Sequence, residues 1–136
     1  MVVWSRVPLV TLVPVRNMNR AIKFYTKALG GKLRERGLGE MKDYWAGLTL
    51  GKNRVWLVGG TRPEKRKLAY SLFLVKNIRS TVKQFQRKGI KFTRAERSGE
   101  QTRLEGVIAW ESFGGSAFFQ DSEGNLFMVW QNIPPM

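Results

Sequence analysis

Apolar residues recur along this chain in two rhythms, a strand period of two and a helix period near 3.6, and the succession of rhythms occurs twice. Residues 10–15 form an apolar run of strand length. Asn17 or Asn19 then stands where a side-chain oxygen can accept a backbone N–H at a helix start. Ala21, Ile22, Tyr25, Ala28 and Leu29 share one helical face, and Gly30-Gly31 ends it. Residues 32–36 read as a strand, and 44–50 with 54–58 as a hairpin around Gly51-Lys52-Asn53. A polar, basic stretch over 59–67, holding Pro63, reads as a linker. The pattern then restarts: a strand over 70–75, a cap at Asn77, and Val82, Phe85 and Gln86 at helical spacing up to Gly89. A strand over 91–94 follows, then extended segments over 107–110 and 116–120, a turn over 121–125 and a last strand over 126–131. Gly114-Gly115 reads as a bend, with no phosphate-loop pattern after it.

The two halves match residue by residue. Val15-Arg16-Asn17-Met18 lies over Val75-Lys76-Asn77-Ile78 and Ile22-Lys23 over Val82-Lys83, at a constant offset of 60. Gly31-Lys32-Leu33 resembles Gly89-Ile90-Lys91-Phe92 after a one-residue gap. Self-similarity at one period predicts a repeated architecture. Each half reads βαβββ, and one such unit cannot bury both faces of its sheet. The expected fold is α+β: two tandem βαβββ modules forming a U-shaped mixed sheet around a concave cavity, with helices on the outer face. A single domain over 1–136 then comprises module one at 1–60, a linker at 61–67 and module two at 68–136.

Composition narrows the chemistry. At 136 residues, 43% hydrophobic and 25% charged, the chain suits one globular domain. No apolar run nears the roughly 20 residues that span a bilayer. Residues 7–15 are apolar but short, hold two prolines and lack a cleavage site, so no membrane partner and a cytoplasmic location are expected. Without cysteine there is no disulfide, thiolate metal site or cysteine nucleophile. Without histidine the commonest metal ligand and neutral-pH base is missing. A formal charge of +14 attracts anions and repels cations. The basic residues cluster at 62–67, 83–91 and 94–103. They read first as a solvated face, and otherwise as a rim for anionic ligands or a non-specific nucleic-acid patch.

Two segments carry a family likeness. Val13-Pro14-Val15-Arg16-Asn17-Met18-Asn19-Arg20-Ala21-Ile22-Lys23-Phe24-Tyr25, followed by Leu29-Gly30-Gly31, resembles the opening signature of the vicinal-oxygen-chelate superfamily of glyoxalases, bleomycin-resistance proteins and extradiol dioxygenases. Phe119-Gln120-Asp121-Ser122-Glu123-Gly124-Asn125-Leu126 resembles its closing D-P-D-G-N turn, with Ser122 for the usual proline and Glu123 for the aspartate. The resemblance implies paired modules around a cavity, a homodimer, and, in metal-using members, four inward ligands on the first and last strands. Carried over, those positions hold Val10, Leu57, Tyr70 and Met128, none a histidine or carboxylate. No metal and no cofactor are therefore expected.

Strand alternation through those positions predicts a cavity lined by Val10, Leu12, Val55, Leu57, Tyr70, Leu72, Leu74, Leu126, Met128 and Trp130. Val13, Trp56, Phe73, Phe127 and Val129 then face the helices. Trp110 or Phe113, and Trp45 or Tyr44, close its ends in a phase left open. The competing reading for each is filled core. A metal-free small-molecule binder or sequestering protein is favoured, its ligand aromatic and neutral or anionic. A metal-independent enzyme, of lyase, isomerase or dioxygenase-related type, using Tyr70 or a buried Glu100, Glu105 or Glu111, is the alternative. A basic nucleic-acid-binding or partner-binding module is a third reading, not favoured because few aromatics interleave with the charges.

Overall fold

The computed structural model describes residues 1–60 and 71–135. Tyr70 and the expected linker lie outside the described residues. The chain divides into two compact units, Met1–Glu64 and Lys65–Met136. Each lays a helix on one face of a mixed sheet, which is the α+β, tandem βαβββ class expected.

In the first unit, β1 (Val10–Pro14), β2 (Lys32–Arg36), β3 (Trp45–Leu50) and β4 (Asn53–Val58) form a sheet in the order β1-β4-β3-β2. β1 runs parallel to β4 and the other pairs are antiparallel. Between β1 and β2 lies α1 (Met18–Lys23), which continues as a π-helical turn over Phe24–Ala28. Asn17 caps it, its side-chain oxygen accepting from Arg20 N at 3.0 Å. The chain leaves the helix through Gly30 at φ 74°, a left-handed conformation that glycine adopts without steric penalty. Val13, Val15, Ala21, Tyr25, Ala46, Leu48 and Leu57 form the core beneath the helix.

The second unit repeats the scheme with an extra strand. β5 (Leu72–Leu74), β6 (Arg103–Glu105), β7 (Ile108–Glu111), β8 (Gly114–Gln120) and β9 (Leu126–Asn132) take the order β5-β9-β8-β7-β6. β5 is parallel to β9. α2 (Ile78–Arg87) is capped by Asn77, which accepts from Ser80 N at 3.0 Å, the same device 60 residues on. The backbone bond that closes each module also repeats: Val15 N donates to the Val58 carbonyl and Val75 N to that of Trp130. Phe119 centres an aromatic core, its ring 5.5–6.2 Å from those of Phe73, Phe85, Phe92 and Phe127. The Asp121 turn is buried. Asp121 Oδ1 accepts from Glu123 N and Asn125 N at 2.8 Å each, and Oδ2 from Asn125 Nδ2 at 2.9 Å.

Three local expectations are corrected. The strand expected over 91–94 shrinks to one bridge, Phe92 to Phe119, after which the polar segment from Arg94 onward turns out of the sheet. Gly114 and Gly115 are not a bend but the start of β8, buried because aromatic rings occupy the space a side chain would fill. β6, which no apolar alternation announced, is held by pairing with β7.

Candidate functional site

Each sheet has one face under its helix and one face without a helix of its own unit. Register decides which residues lie where, since cross-strand partners share a face. In the first unit Leu12 pairs with Trp56 and Val13 with Leu57. Leu12 is 56% and Trp56 41% exposed, whereas Val55 is 5% and Leu57 0% exposed. Val10, Leu12, Arg54, Trp56, Gly47 and Thr49 thus share the open face, and Val55 and Leu57 are core under the helix. The expected phase of β4 was one residue off: Leu57 and Val55 are not cavity-facing, and Trp56 is not helix-facing.

In the second unit the expected phase holds. Leu72 pairs with Met128 and Leu74 with Trp130, and all four lie on the open face with Leu126. Phe73, Phe127 and Val129 face the helix as expected. Trp110 resolves the other way. It is buried opposite Gly115, with the Arg79 guanidinium 4.8 Å above its ring, and it does not reach the open face. Arg79 is held there by a bidentate pair with Glu105, at 2.6 and 2.9 Å. That contact holds the Glu105 carboxyl below the ordinary carboxylate range.

A cavity lies on this open face and is lined wholly by second-unit residues. It measures about 830 Å³. Phe113, Phe118, Leu126 and Trp130 make its apolar wall, with Ala109 and Ser116 between them. Trp130 is fixed by its indole N–H, which donates to Asn132 Oδ1 at 2.7 Å, and by Phe113, 5.7 Å away. Thr93, Arg94, Ala95, Glu96 and Ser98, from the segment that left the sheet, close the side. Glu111 lines the cavity with a pinned carboxylate. Its Oε1 accepts from Ser98 Oγ at 2.5 Å and from Thr102 Oγ1 at 2.8 Å. Those two hydroxyls, Ser98 first, hold its pKa below the ordinary carboxylate value against the opposing effect of partial desolvation. Of the residues expected to line a cavity, Leu126 and Trp130 line this one, and of the two candidates for its end Phe113 does and Trp110 does not; Met128 and Leu72 share its face but not its wall. Phe118, Ser98 and Thr102 were missed. Phe118 was legible in the alternation of β8, whereas Ser98 and Thr102 sit in a polar stretch with no period.

A smaller recess of about 320 Å³ lies on the open face of the first unit, lined by Arg34, Glu35, Gly47, Leu48, Thr49, Arg54 and Trp56.

Residues 8–129 match the family model of the Glyoxalase/Bleomycin resistance protein/Dioxygenase superfamily. The chain belongs to this superfamily. Solved structures of similar fold include UcmS2, 20% identical, with a TM-score of 0.69 over 91% of this chain and 96% of that one. TnmS3, an antibiotic binding protein from Streptomyces sp. CB03234, is 20% identical, with a TM-score of 0.63 over 93% of this chain and 98% of that one. A variant of the fosfomycin resistance protein FosX from Listeria monocytogenes, solved with Mn(II) and 1S,2S-dihydroxypropylphosphonic acid, is 12% identical, with a TM-score of 0.63 over 92% and 88%. At these identities the likeness is one of fold. No curated protein matches the sequence significantly.

Metal-using members of the glyoxalase superfamily need oxygen or nitrogen donors on the open faces of their first and last strands. By register, the position equivalent to Met128 is Trp56, since Leu12 pairs with Trp56 as Leu72 pairs with Met128. Val10, Trp56 and Met128 offer no hard donor, and Arg54 beside them is a cation. Among the described residues no three His, Cys, Asp or Glu side chains gather as a metal site. The described residues at these positions do not fit the divalent ion.

Proposed function

We propose that this chain binds a small, flat, neutral aromatic molecule in the second-unit cavity, without a metal. One observation carries the reading: aromatic side chains wall a cavity whose Glu111 carboxylate is already oriented by two hydroxyls. A volume of about 830 Å³ lies within the roughly 300–1,000 Å³ of small-molecule sites. Rings such as Phe113, Phe118 and Trp130 offer stacking surfaces. With Oε1 occupied by Ser98 and Thr102, Glu111 keeps Oε2 as an acceptor for an N–H or O–H donor on the ligand. The antibiotic-binding neighbour TnmS3 supports a ligand of drug-like chemistry. A role for Glu111 as general base is disfavoured, because hydroxyl donors that stabilise the ionised form weaken it as a proton acceptor.

The test is calorimetric titration of the protein with a library of flat aromatic compounds, paired with native mass spectrometry of protein taken straight from expression. Saturable one-to-one binding, weakened in Trp130→Leu, is expected. A library without one saturable binder, together with a mass free of any adduct, would sink the proposal.

A further inference from the structure

The smaller recess is built wholly from first-unit residues. We infer that it is a recognition site for a planar aromatic acid, with the ring on Trp56 and the carboxylate between Arg34 and Arg54. The register of β2 against β3 shifts between Leu33 and Glu35. At that irregularity the Arg34 Nε donates to Thr49 Oγ1 at 2.9 Å. Thr49 in turn is the cross-strand partner of Arg54. One threonine therefore brings two guanidinium-bearing side chains together on the open face. Among the described residues neither has a carboxylate within ion-pair distance, although Glu35 lines the same recess. Two neighbouring cations repel, and a bound anion removes that repulsion. Guanidinium groups suit a carboxylate in particular, because their parallel N–H donors match its two oxygens.

The second half of the recess selects for a ring. Trp56 is two residues along β4 from Arg54, 41% exposed, and held edge-on against Trp45 with centroids 5.6 Å apart. Gly47 lies beside it, and a Cβ there would stand 3.4 Å from the Trp56 indole nitrogen. The missing side chain keeps that flank of the indole clear. A volume of about 320 Å³ sits at the low end for small-molecule sites and suits an acid of one or two rings. The net charge of +14 draws such an acid in.

The experiment is isothermal titration calorimetry of the whole chain with 2-naphthoate, its neutral amide 2-naphthamide, and inorganic phosphate. Saturable binding of 2-naphthoate is expected, weakened at least tenfold in Arg34→Gln and in Arg54→Gln. Lys83→Gln, which removes the same charge from an exposed position on α2, should leave it within twofold, as should Trp130→Leu in the other cavity. Four results would each overturn the inference: no saturable 2-naphthoate binding, equal loss in Lys83→Gln, amide binding as tight as the acid in the Trp130→Leu background, where the second-unit cavity no longer takes a neutral ring, or phosphate binding as tight as 2-naphthoate. Because the Trp130→Leu control separates the two cavities, failure here is distinguishable from failure of the second-unit reading.

Discussion

Gly114 and Gly115 are adjacent in β8 and look to opposite faces of the sheet, so one added methyl group at each tests the second-unit cavity against the core. An alanine Cβ at 114 would stand 2.2 Å from Trp130 Cζ2 and 2.6 Å from the Gln131 carbonyl oxygen. At 115 it would stand 2.7 Å from Trp110 Cε3 and Cζ3. Carbon atoms settle at about 3.5–4.0 Å, so the Trp130 ring has to retreat by roughly 1.3 Å or more. Overpacking of this kind costs about 1–3 kcal/mol, and Gly114→Ala belongs at the upper end because a backbone oxygen is also in the way. For a chain of this size that is a fall in melting temperature on the order of 3–10 °C in either variant. Ligand binding separates them. Displacing Trp130 from the cavity wall should weaken a flat aromatic ligand about tenfold or more, where tenfold is about 1.4 kcal/mol. Gly115→Ala, which disturbs Trp110 under Arg79, should leave affinity within about twofold. Calorimetry at a temperature where both variants are folded reads the difference. Equal losses in the two variants, or full affinity in Gly114→Ala, would refute the placement of the site on the open face.

Other outcomes follow from the same geometry. The Ser98 and Thr102 bonds depress the Glu111 pKa, so their contribution to stability is present above the ordinary carboxylate pKa and disappears as pH falls through the lower folded value. The melting-temperature gap between wild type and Glu111→Gln should therefore stay constant from pH 7 to about 5 and close below about 4.3; a gap already closed at pH 6 contradicts the assignment. Asp121→Ala should cost about 3–5 kcal/mol in urea unfolding, because buried N–H donors of Glu123 and Asn125 lose their acceptor at about 1–3 kcal/mol each. A loss under about 1 kcal/mol would show that the turn has another means of support. Millimolar Mn²⁺, Ni²⁺ or Zn²⁺ should leave the melting temperature unchanged, whereas a micromolar site would add about 4 kcal/mol at a thousandfold excess. A rise of several degrees that EDTA reverses would show a metal site at the open faces after all.

The sequence by itself determined the repeat, the class of each module and the helix caps, because these rest on local chemistry. Asn17 and Asn77 cap by hydrogen bonds three residues long, and the Asp121 turn closes on its own side chains. It also determined that the chain has no histidine or cysteine, which no fold can supply. What only the tertiary structure decided is the facing of residues where alternation carries no information. Val55, Trp56 and Leu57 are all apolar, so β4 reads equally well in either phase, and its pairing with β1, Leu12 to Trp56, makes the choice. Trp110 is buried because Gly115 across the strand leaves room for its ring and Arg79 from a helix covers it, two contacts distant in sequence. The cavity depends on the polar segment after Thr93 folding back against β7 and β8. No period marks that segment, since its residues are placed by partners such as Glu111 rather than by burial of an apolar face.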